Sequence, residues 1–327
     1  MRAVTYHEYG SPDVLRYEEL EKAVAGDDEV LIRVRAASVN PLDWHFMRGI
    51  PYFLRIPAGL RKPKDSRLGV DVAGEVEAVG RKATEFKSGD EVFGSCRGAF
   101  AEYACASRSV LVTKPNNVTF EQAASVSVAA CTALQGLRDK GQIQPGQKVL
   151  INGAAGGVGT FAVQVAKSFG ADVTGVCSTR NVDMVRSIGA DRVIDYTRED
   201  FTKSGQRYDL IFDTVGNHSL VACRRALKAN GVYIEVGGRS GSWMIGLFAR
   251  AIAAPVLSWF VSQKFFMVLA RVNRQDLTIM RELMASGKVT PVIDRCYMLS
   301  EVPDAIRYLE EGHARGKIVI TVAPGAT

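Results

Sequence analysis

Cysteine is scarce in this 327-residue sequence, and no two cysteines are spaced like a metal-binding pair. The six residues are scattered along the chain, at Cys96, Cys105, Cys131, Cys177, Cys223 and Cys296. The absence of a C-x-x-C pair argues against a zinc ribbon and against a disulfide framework. Unpaired cysteines are typical of proteins in a reducing compartment.

The sequence also lacks the features of a signal peptide and of a membrane-spanning helix. The first ten residues contain no apolar core, and Arg2–Tyr6 already has the composition of a strand, so we expect a cytoplasmic protein. The most apolar stretch, residues 241–270, is interrupted by Gly246, Arg250, Pro255 and Lys264. It therefore falls short of the roughly 20 apolar residues that a membrane span needs.

Three interpretations of residues 241–270 stay open. Helices that cover the active site are the first, and a strand at a dimer edge, residues 265–270, is the second. An interfacial membrane helix is the third, although the stretch is not regularly amphipathic. We expect a homodimer that pairs through residues 265–270.

Negative charge is outweighed by positive charge, since the formal net charge is +6 and the sequence pI is about 9.0. Much of the excess lies in one region, at Arg48, Arg55, Arg61, Lys62, Lys64 and Arg67. A basic surface can attract nucleic acid or anionic lipid, or steer a phosphorylated cofactor. No RNA-binding motif accompanies these residues, so we expect a solvated basic loop and no nucleic-acid partner.

What the sequence does contain is a strand, a turn of small residues and a helical pattern in direct succession. The strand is residues 148–152, and apolar residues recur at helical spacing from Val158 to Phe169. The residues of the turn are Gly153, Ala154, Ala155, Gly156, Gly157, Val158 and Gly159. Such a turn brings backbone N–H groups and a helix N-terminus to a pyrophosphate, although Ala154 replaces the first glycine of the usual fingerprint. This context predicts a dinucleotide-binding site.

The second strand, residues 172–177, indicates which dinucleotide is bound. An NAD site usually has an Asp or Glu about 20 residues after the glycines, where it binds the ribose 2′-OH. Here Ser178, Thr179 and Arg180 follow the strand, and there is no carboxylate. Because a guanidinium can pair with a 2′-phosphate, we predict NADPH as the cofactor. Alternatively, Ser178 and Thr179 cap the next helix.

The order of predicted elements indicates an α/β protein. Short strands fill residues 1–115, a helix is predicted at 120–140, and strands alternate with helices from 148 to 238. This alternation is typical of a doubly wound parallel sheet. Ligands bind beyond the carboxyl ends of such strands, so Val215, Gly216, Val236, Gly237 and Gly238 are further candidates for cofactor binding.

Several short segments occur in the same order as in a known protein family. They are residues 37–43, 69–74, 79–80, 89–94, 99–103, 154–159 and 316–320. With them the sequence resembles the medium-chain dehydrogenase/reductase superfamily, in the zinc-free branch of zeta-crystallin and the quinone reductases. The resemblance implies a GroES-like β-barrel catalytic domain, residues 1–119 and 293–327, and a Rossmann domain, residues 120–292. It implies an active site in the cleft between them.

The resemblance also allows a test for zinc. The three catalytic zinc-ligand positions of the alcohol dehydrogenases in this superfamily fall on Asp43, Val70 and Val128. Since valine cannot bind a metal and three protein ligands are the minimum, we predict no metal site. Without a Lewis acid, hydride transfer to a quinone or an α,β-unsaturated carbonyl remains feasible.

The remaining site residues are implied by the resemblance. Asn40 would lie near the nicotinamide ribose or the substrate carbonyl, Asp43 would order the site, and His45 would contact substrate or donate a proton. Thr132 would lie against the nicotinamide, Tyr196 by the adenosine, and Lys317 would reach the cofactor. Each has a structural alternative: a turn for Asn40, a helix cap for Asp43 and an exposed or structural His45. The others are core packing for Thr132, a buried aromatic for Tyr196 and solvation of a strand edge for Lys317.

Together these observations predict a zinc-independent, NADPH-dependent oxidoreductase that acts on a quinone or a conjugated enone. The alternative is an NADPH-binding protein with little turnover and a structural or RNA-binding role. The positive charge is compatible with that alternative, whereas Asn40 and the intact glycine turn favour the enzyme.

Overall fold

The computed structural model of the chain describes residues 1–237 and 262–323. They belong to two compact units. Unit 1 consists of Met1–Val128, Val272–Ser286 and Pro291–Thr327, and unit 2 consists of Ala129–Arg271 and Gly287–Thr290.

The secondary structure alternates as expected for an α/β protein. The strands are β1 (Arg2–Tyr6), β2 (Leu15–Glu19), β3 (Glu29–Val39), β4 (Asp71–Val79), β5 (Glu91–Ser95), β6 (Tyr103–Ser107), β7 (Leu111–Thr113), β8 (Lys148–Asn152), β9 (Asp172–Cys177), β10 (Arg192–Asp195), β11 (Tyr208–Asp213), β12 (Leu227–Glu235), β13 (Lys264–Met267), β14 (Ile293–Met298) and β15 (Lys317–Thr321). The helices are α1 (Pro41–Arg48), α2 (Arg55–Ala58), α3 (Phe120–Ala124), α4 (Ser127–Gln135), α5 (Gly157–Ser168), α6 (Val182–Ser187), α7 (Leu220–Arg225), α8 (Arg274–Ala285) and α9 (Val302–Glu310).

Unit 1 is built on a seven-stranded sheet and a separate hairpin of β1 and β2. The sheet order is β14-β15-β3-β4-β5-β7, and β6 pairs with β3 off this path. Strands β14 and β15 are parallel, whereas β15 and β3 are antiparallel, with Ile318 opposite Val39. This pairing brings the start of the last strand next to the loop that follows β3.

Two helical segments that follow the expected domain boundary pack with unit 1. The boundary that the resemblance implies, between residues 119 and 120, stays a prediction. In the structure α3 lies against β3 and β4, and α8 lies against β7. The buried alanines of α3, Ala123 and Ala124, account for its position. The predicted helix at 120–140 is therefore three elements: α3, α4 and a π-helical turn, Gly136–Lys140.

Unit 2 contains the predicted doubly wound sheet. Six parallel strands lie in the order β10-β9-β8-β11-β12-β13. In this arrangement the strand order reverses between β8 and β11, which is the point at which open α/β sheets bind ligands. The fold class predicted from the sequence is confirmed.

Helix α5 is buried around most of its middle, and not only on the predicted apolar face. Phe161, Ala162, Val165 and Ala166 are fully buried, as predicted. On the remaining side, Gln164 is buried because its amide makes two hydrogen bonds to the backbone of Thr290, at 2.7 and 3.0 Å. A polar residue therefore completes the burial of an otherwise apolar helix.

The apolar region 241–270 is described only at its end. Strand β13 covers Lys264–Met267, is shorter than the predicted strand at 265–270, and is the last strand in the order given above. Pairing of two chains through this strand stays a prediction. Trp243 and the other apolar residues up to Val261 lie outside the described residues. Within residues 1–237 and 262–323, no helix combines the length and apolar character needed to cross a membrane.

The turn between β8 and α5 allows a test of how closely strand and helix pack. A Cβ atom at Gly159 would lie 2.0 Å from the carbonyl oxygen of Gly153, whereas one at Gly156 would meet only that oxygen, at 3.5 Å. We expect Gly159→Ala to lower the free energy of unfolding by about 1–3 kcal/mol, because backbone atoms would have to move. Gly156→Ala is the matched control and should change it by less than about 1 kcal/mol in denaturant unfolding. Equal effects would contradict the argument.

Candidate active site

The turn after β8 has the shape that a pyrophosphate needs. Gly153 has φ +83°, and a Cβ atom there would lie 2.3 Å from Thr214 Oγ1. The N–H groups of Gly153 and Ala154 both donate to the carbonyl of Val176 on β9, at 3.2 and 3.0 Å. These bonds fix the turn at the strand ends.

Gly156 leaves open space beside the same turn because it has no side chain. A Cβ atom there would fill otherwise open space, since it meets only the Gly153 oxygen. Gly156 is the N-cap of α5, and Gly157 and Val158 are half-buried. The N–H groups of the first helical turn have no acceptor within a helix, so these residues fit a bound phosphate group.

The three residues after β9 form part of a hydrogen-bonded cluster. Ser178 is the N-cap of a 3₁₀ turn, Thr179–Asn181, and accepts a hydrogen bond from Asn181 Nδ2 at 3.2 Å. Ser178 thus occupies the N-cap position, but its side chain makes no capping hydrogen bond to the backbone of this turn. Thr179 and Arg180 are exposed. Tyr196 is 58% exposed, which excludes the interpretation as a buried aromatic, and its N–H donates to the carbonyl of Cys177.

A carboxylate does lie in this cluster, although none directly follows the second strand. Asp195, at the end of β10, accepts a hydrogen bond from Thr179 Oγ1 at 2.6 Å. Its other oxygen accepts the N–H and the hydroxyl of Thr197, and Arg198 Nε lies 3.5 Å from Oδ2. The hydrogen bond from Thr179 lowers the pKa of Asp195, so this residue is ionised at neutral pH. The sequence argument missed it because the carboxylate comes from the third strand.

A second group missed by the sequence argument is Asp213 at the end of β11. Its Oδ1 accepts hydrogen bonds from Asn152 Nδ2 and from the N–H groups of Val215 and Gly216, at 2.8–2.9 Å. Its Oδ2 accepts the hydroxyl of Tyr233 at 2.8 Å. Asp213 is fully buried, and it joins the ends of β8, β11 and β12. It therefore holds the predicted cofactor turn at Val215 and Gly216 in place.

The other predicted residues in unit 2 are dispersed. Val236 is half-buried and donates its N–H to the carbonyl of Asp213, and Gly237 is exposed. Gly238 lies outside the described residues. Thr132 is buried in α4, 7% exposed. Its contact with a nicotinamide stays a prediction.

In unit 1 the structure brings Asn40 and Lys317 into one buried polar cluster. Lys317 Nζ donates to Asn40 Oδ1 at 2.6 Å and lies 3.4 Å from Asp71 Oδ2. Lys317 is only 3% exposed, which excludes the solvated strand edge. Contact of this ammonium with a cofactor stays a prediction.

The amide of Asn40 is fully used within the cluster. Its Nδ2 donates to Asp71 Oδ2 at 2.9 Å and to the carbonyl of Ser38 at 3.3 Å, while Oδ1 accepts from Lys317. Donation to a substrate carbonyl, the role expected from the resemblance, would require one of these bonds to break. In this structure Asn40 orders the cluster.

Asp71 is the centre of the cluster and was not singled out from the sequence. Its Oδ2 also accepts the hydroxyl of Ser38 at 2.9 Å, and its Oδ1 accepts the N–H of Val128 at 3.0 Å. Val128 lies in the first turn of α4, where a negative charge is favoured by the helix dipole. All the side chains of this cluster are at most 3% exposed.

Asp43 lies beside the cluster and is fully buried. One of its oxygens accepts the N–H of Asn40 at 2.7 Å, which is the helix cap given as its structural alternative, and the other has no hydrogen-bond partner within the described residues. Burial raises the pKa of Asp43 to about 7, and the nearby charge of Asp71 contributes to this shift. Asp43 therefore changes protonation state in the physiological range.

His45 is packed against its neighbours rather than fully exposed. Its Nδ1 donates to the carbonyl of Ile50 at 2.7 Å, and its ring stacks on Trp44 at 3.8 Å. Burial lowers the pKa of His45, so the neutral imidazole is favoured at pH 7. Since the Nδ1 proton is already bonded to a carbonyl, its role as a proton donor stays a prediction.

The residues at the three predicted zinc-ligand positions determine whether a catalytic metal could be bound here. Asp43, Val70 and Val128 supply one carboxylate and two side chains without a donor atom. A zinc ion needs three protein ligands, and in residues 1–237 and 262–323 no group of three His, Cys, Asp or Glu residues is arranged to hold a metal. These residues do not fit a catalytic zinc ion.

Comparison with known proteins gives two matches to families. Residues 26–116 match the family described as alcohol dehydrogenase GroES-like domain, and residues 188–320 match the family described as zinc-binding dehydrogenase. The two matches cover both the sheet of unit 1 and much of unit 2.

Individual relatives match over almost the whole chain. A 2-methylene-furan-3-one reductase of Solanum lycopersicum is 35% identical over 99% of this chain and 80% of its own length. A chloroplastic NADPH-dependent alkenal/one oxidoreductase of Arabidopsis thaliana is 34% identical with the same coverage. The structure of a quinone oxidoreductase from Coxiella burnetii is 31% identical, with a TM-score of 0.85 over 99% of both chains. A cytoplasmic location for this chain stays a prediction.

Sequence identity of this level along the full chain, together with the fold, identifies the family. The chain belongs to the medium-chain dehydrogenase/reductase superfamily, in its quinone oxidoreductase-like branch, and is an oxidoreductase that uses a nicotinamide cofactor.

Proposed function

We propose that this protein is a zinc-independent reductase that transfers hydride from NADPH to a quinone or a conjugated enone. The observation that carries the proposal is the composition of the three metal-ligand positions, where two valines accompany Asp43. The relatives named as reductases of furanones, alkenals and quinones support the same class of electrophilic acceptor.

The buried cluster supports chemistry without a Lewis acid. The only ammonium in the cluster, that of Lys317, is bonded to Asn40 and faces Asp71. It therefore stabilises a charge of the protein itself. Oxidation of a simple alcohol would lack a group that stabilises the alkoxide. Hydride transfer to an electrophilic acceptor does not require an alcohol to be converted into an alkoxide.

NADPH supplies the hydride when it is bound, and the chain supplies the positions that hold it. Gly156 and the first turn of α5 would bind the pyrophosphate. Arg180 would pair with the 2′-phosphate, beside the hydroxyl of Thr179. Asp213 would keep the Val215–Gly216 turn in place beside the same strand ends.

Asp195 needs a separate argument, because a carboxylate near a 2′-phosphate is repulsive. Both of its oxygens already accept hydrogen bonds, from Thr179 and Thr197, and Arg198 opposes its charge at 3.5 Å. The carboxylate is thus engaged by the protein. Arg198, three positions further along the chain, and Arg180, directly after Thr179, add two positive charges. This arrangement favours a phosphorylated ribose.

The cofactor assignment is tested by Arg180→Ala. Loss of a charged hydrogen bond should raise the dissociation constant for NADPH by about 10- to 100-fold and leave that for NADH nearly unchanged. Fluorescence titration with both cofactors measures this. Arg186→Ala, which removes an exposed guanidinium of α6, is the matched control. Equal weakening of both cofactors by Arg180→Ala would contradict the assignment.

The reaction is tested by NADPH oxidation in the presence of a small quinone or a conjugated enone. We expect turnover with at least one acceptor, at a rate that a metal chelator does not change. The better acceptor identifies the substrate class, and NADH is the paired control. Loss of activity on chelation would overturn zinc independence, and tight NADPH binding without any turnover would count against both acceptors.

The pKa of Asp43 predicts a pH-dependent stability. Its pKa is about 7 in the folded protein and 3.8 as the ordinary value, so the folded state retains a proton that the unfolded state loses. Stability should fall as the pH rises from about 4 to about 7, and Asp43→Asn should remove this contribution. We expect the unfolding free energy of Asp43→Asn relative to wild type to rise by up to about 1.4 kcal/mol per pH unit in this range. Above about pH 7 this difference in unfolding free energy should be constant.

Asp13→Asn is the control for this experiment. Hydrogen bonding to Ser11 and the pairing with Arg307 lower the pKa of exposed Asp13 from its ordinary value of 3.8. Its removal should therefore lower the stability slightly above that pH, and this small effect should vanish only as the pH falls below it. Between about pH 4 and about pH 7 the stability difference for Asp13→Asn should be nearly constant. The neighbouring charges, Asp71 and Lys317, are unchanged in both variants. A stability difference for Asp43→Asn that does not depend on pH would show that Asp43 has an ordinary pKa.

A further inference from the structure

A short surface segment of unit 1, residues 51–64, exposes apolar side chains. Tyr52, Phe53, Ile56 and Leu60 are 68%, 48%, 68% and 70% exposed. They belong to a 3₁₀ turn, Tyr52–Leu54, to α2, and to the residues just after α2. Four large apolar side chains are thus exposed within nine residues, and exposed apolar side chains concentrated in one segment are typical of an interaction site.

One charged side chain of this segment, that of Arg55, is turned toward the protein. Arg55 Nε donates to the carbonyl of Gly49 at 2.9 Å, and Nη2 donates to that of Arg48 at 3.2 Å. The guanidinium also lies over the rings of Tyr9 and Tyr52, 4.3 and 4.9 Å from their centroids. Arg55 thus caps the end of α1 and holds the segment in place.

This orientation is the reverse of an ordinary surface helix. Residues 52, 53 and 56 share one side at helical spacing and are exposed, while Leu54, Arg55 and Ala58 are half-buried on the other side. Tyr9 Oη adds a hydrogen bond to the carbonyl of Gly59 at 2.6 Å. The apolar side chains are therefore held outward by specific bonds of the backbone and of Arg55.

Positive charge lies directly beside the apolar patch. Arg61, Lys62 and Lys64 are exposed, and within the described chain no acidic group lies within 4 Å of their charged atoms. The only acidic residue of the region, Asp65, pairs with Arg67 and faces Arg97. The segment thus combines an outward apolar side with an uncompensated cationic flank.

We propose that residues 51–64 bind the surface of an anionic phospholipid bilayer. The cations interact with the headgroups, while Tyr52, Ile56 and Leu60 enter the boundary between headgroups and acyl chains. The charge complementarity favours an anionic partner, and the apolar patch favours a lipid over a nucleic acid, which offers no apolar layer at its phosphate surface. The segment lies on the bilayer and does not cross it.

Vesicle flotation tests this proposal independently of any enzymatic activity. We expect the full-length protein to float with vesicles of phosphatidylglycerol and phosphatidylcholine, and not with vesicles of phosphatidylcholine alone. The bound fraction should fall as salt is added, because screening weakens the charge term. Failure to bind the anionic vesicles, or equal binding to both kinds, would overturn the proposal.

Two pairs of variants separate the apolar and the charge contributions. Ile56→Ser with Leu60→Ser, and Arg61→Glu with Lys62→Glu, should each lower the partition coefficient at least about tenfold. The matched controls are Val24→Ser with Leu269→Ser, which are 87% and 89% exposed elsewhere, and Lys87→Glu with Lys288→Glu. The controls should bind like the wild type, and circular dichroism checks that all variants are folded.

A single-stranded RNA oligonucleotide serves as the competing probe. If only the charge-reversal variant loses vesicle binding and the serine variant keeps it, the segment is a general polyanion site and the lipid assignment is wrong. Binding of RNA that is tighter than binding of the vesicles, and lost in the charge-reversal variant, would contradict it in the same way. Loss of vesicle binding in both variants, without an effect in the controls, supports it.

Discussion

The carboxylate of Asp71 is the point at which the distant parts of unit 1 are joined. It receives hydrogen bonds from Ser38 on β3, from Asn40 before α1 and from Val128 at the start of α4, and it faces Lys317 of β15. Lys317 is 246 positions away from Asp71 in the sequence. A buried carboxylate is costly unless its oxygens are bonded and its charge is opposed. Pairing of the last strand with β3 therefore brings in the ammonium that opposes this charge.

Two carboxyl groups and one ammonium share this buried region. The balance between their charges determines whether Asp43 is protonated. Lys317 balances one negative charge. The carboxylate oxygens of Asp71 lie close to donors from four different residues. Asp43 has a single hydrogen bond and no cation within bonding distance in the described residues, so burial favours its neutral form. The proton of Asp43 thus keeps the region near neutrality without a metal ion.

Local patterns in the sequence were sufficient to predict those parts of the site whose residues follow one another in the chain. The strand β8, the turn from Gly153 to Gly159 and helix α5 follow one another directly, so spacing alone predicts their arrangement. The order of strands in unit 2 follows from the alternation of strands and helices, together with the preference for one topology. The resemblance supplied the positions of Asn40, Asp43 and Lys317, but not the hydrogen bonds that they make.

The residues that the sequence did not reveal are those whose partners lie on a neighbouring strand. Asn152 and Asp213 are 61 positions apart, and they meet because β8 and β11 are adjacent, with Asn152 opposite Asp213. No local periodicity encodes this pair, since it depends on which strands become neighbours. The signal that was available was weaker: a polar residue at the end of each otherwise apolar strand.

Asp195 shows why a cofactor preference depends on more than one strand. An acidic residue after the second strand is the usual sign of NAD, and its absence there favours NADPH. The fold nevertheless brings Asp195 from β10 within 2.6 Å of Thr179. Its effect depends on the charges that oppose it, and Arg198 lies 3.5 Å away. The proposed preference for NADPH therefore depends on how far Arg198 and the hydrogen bonds from Thr179 and Thr197 offset the charge of Asp195.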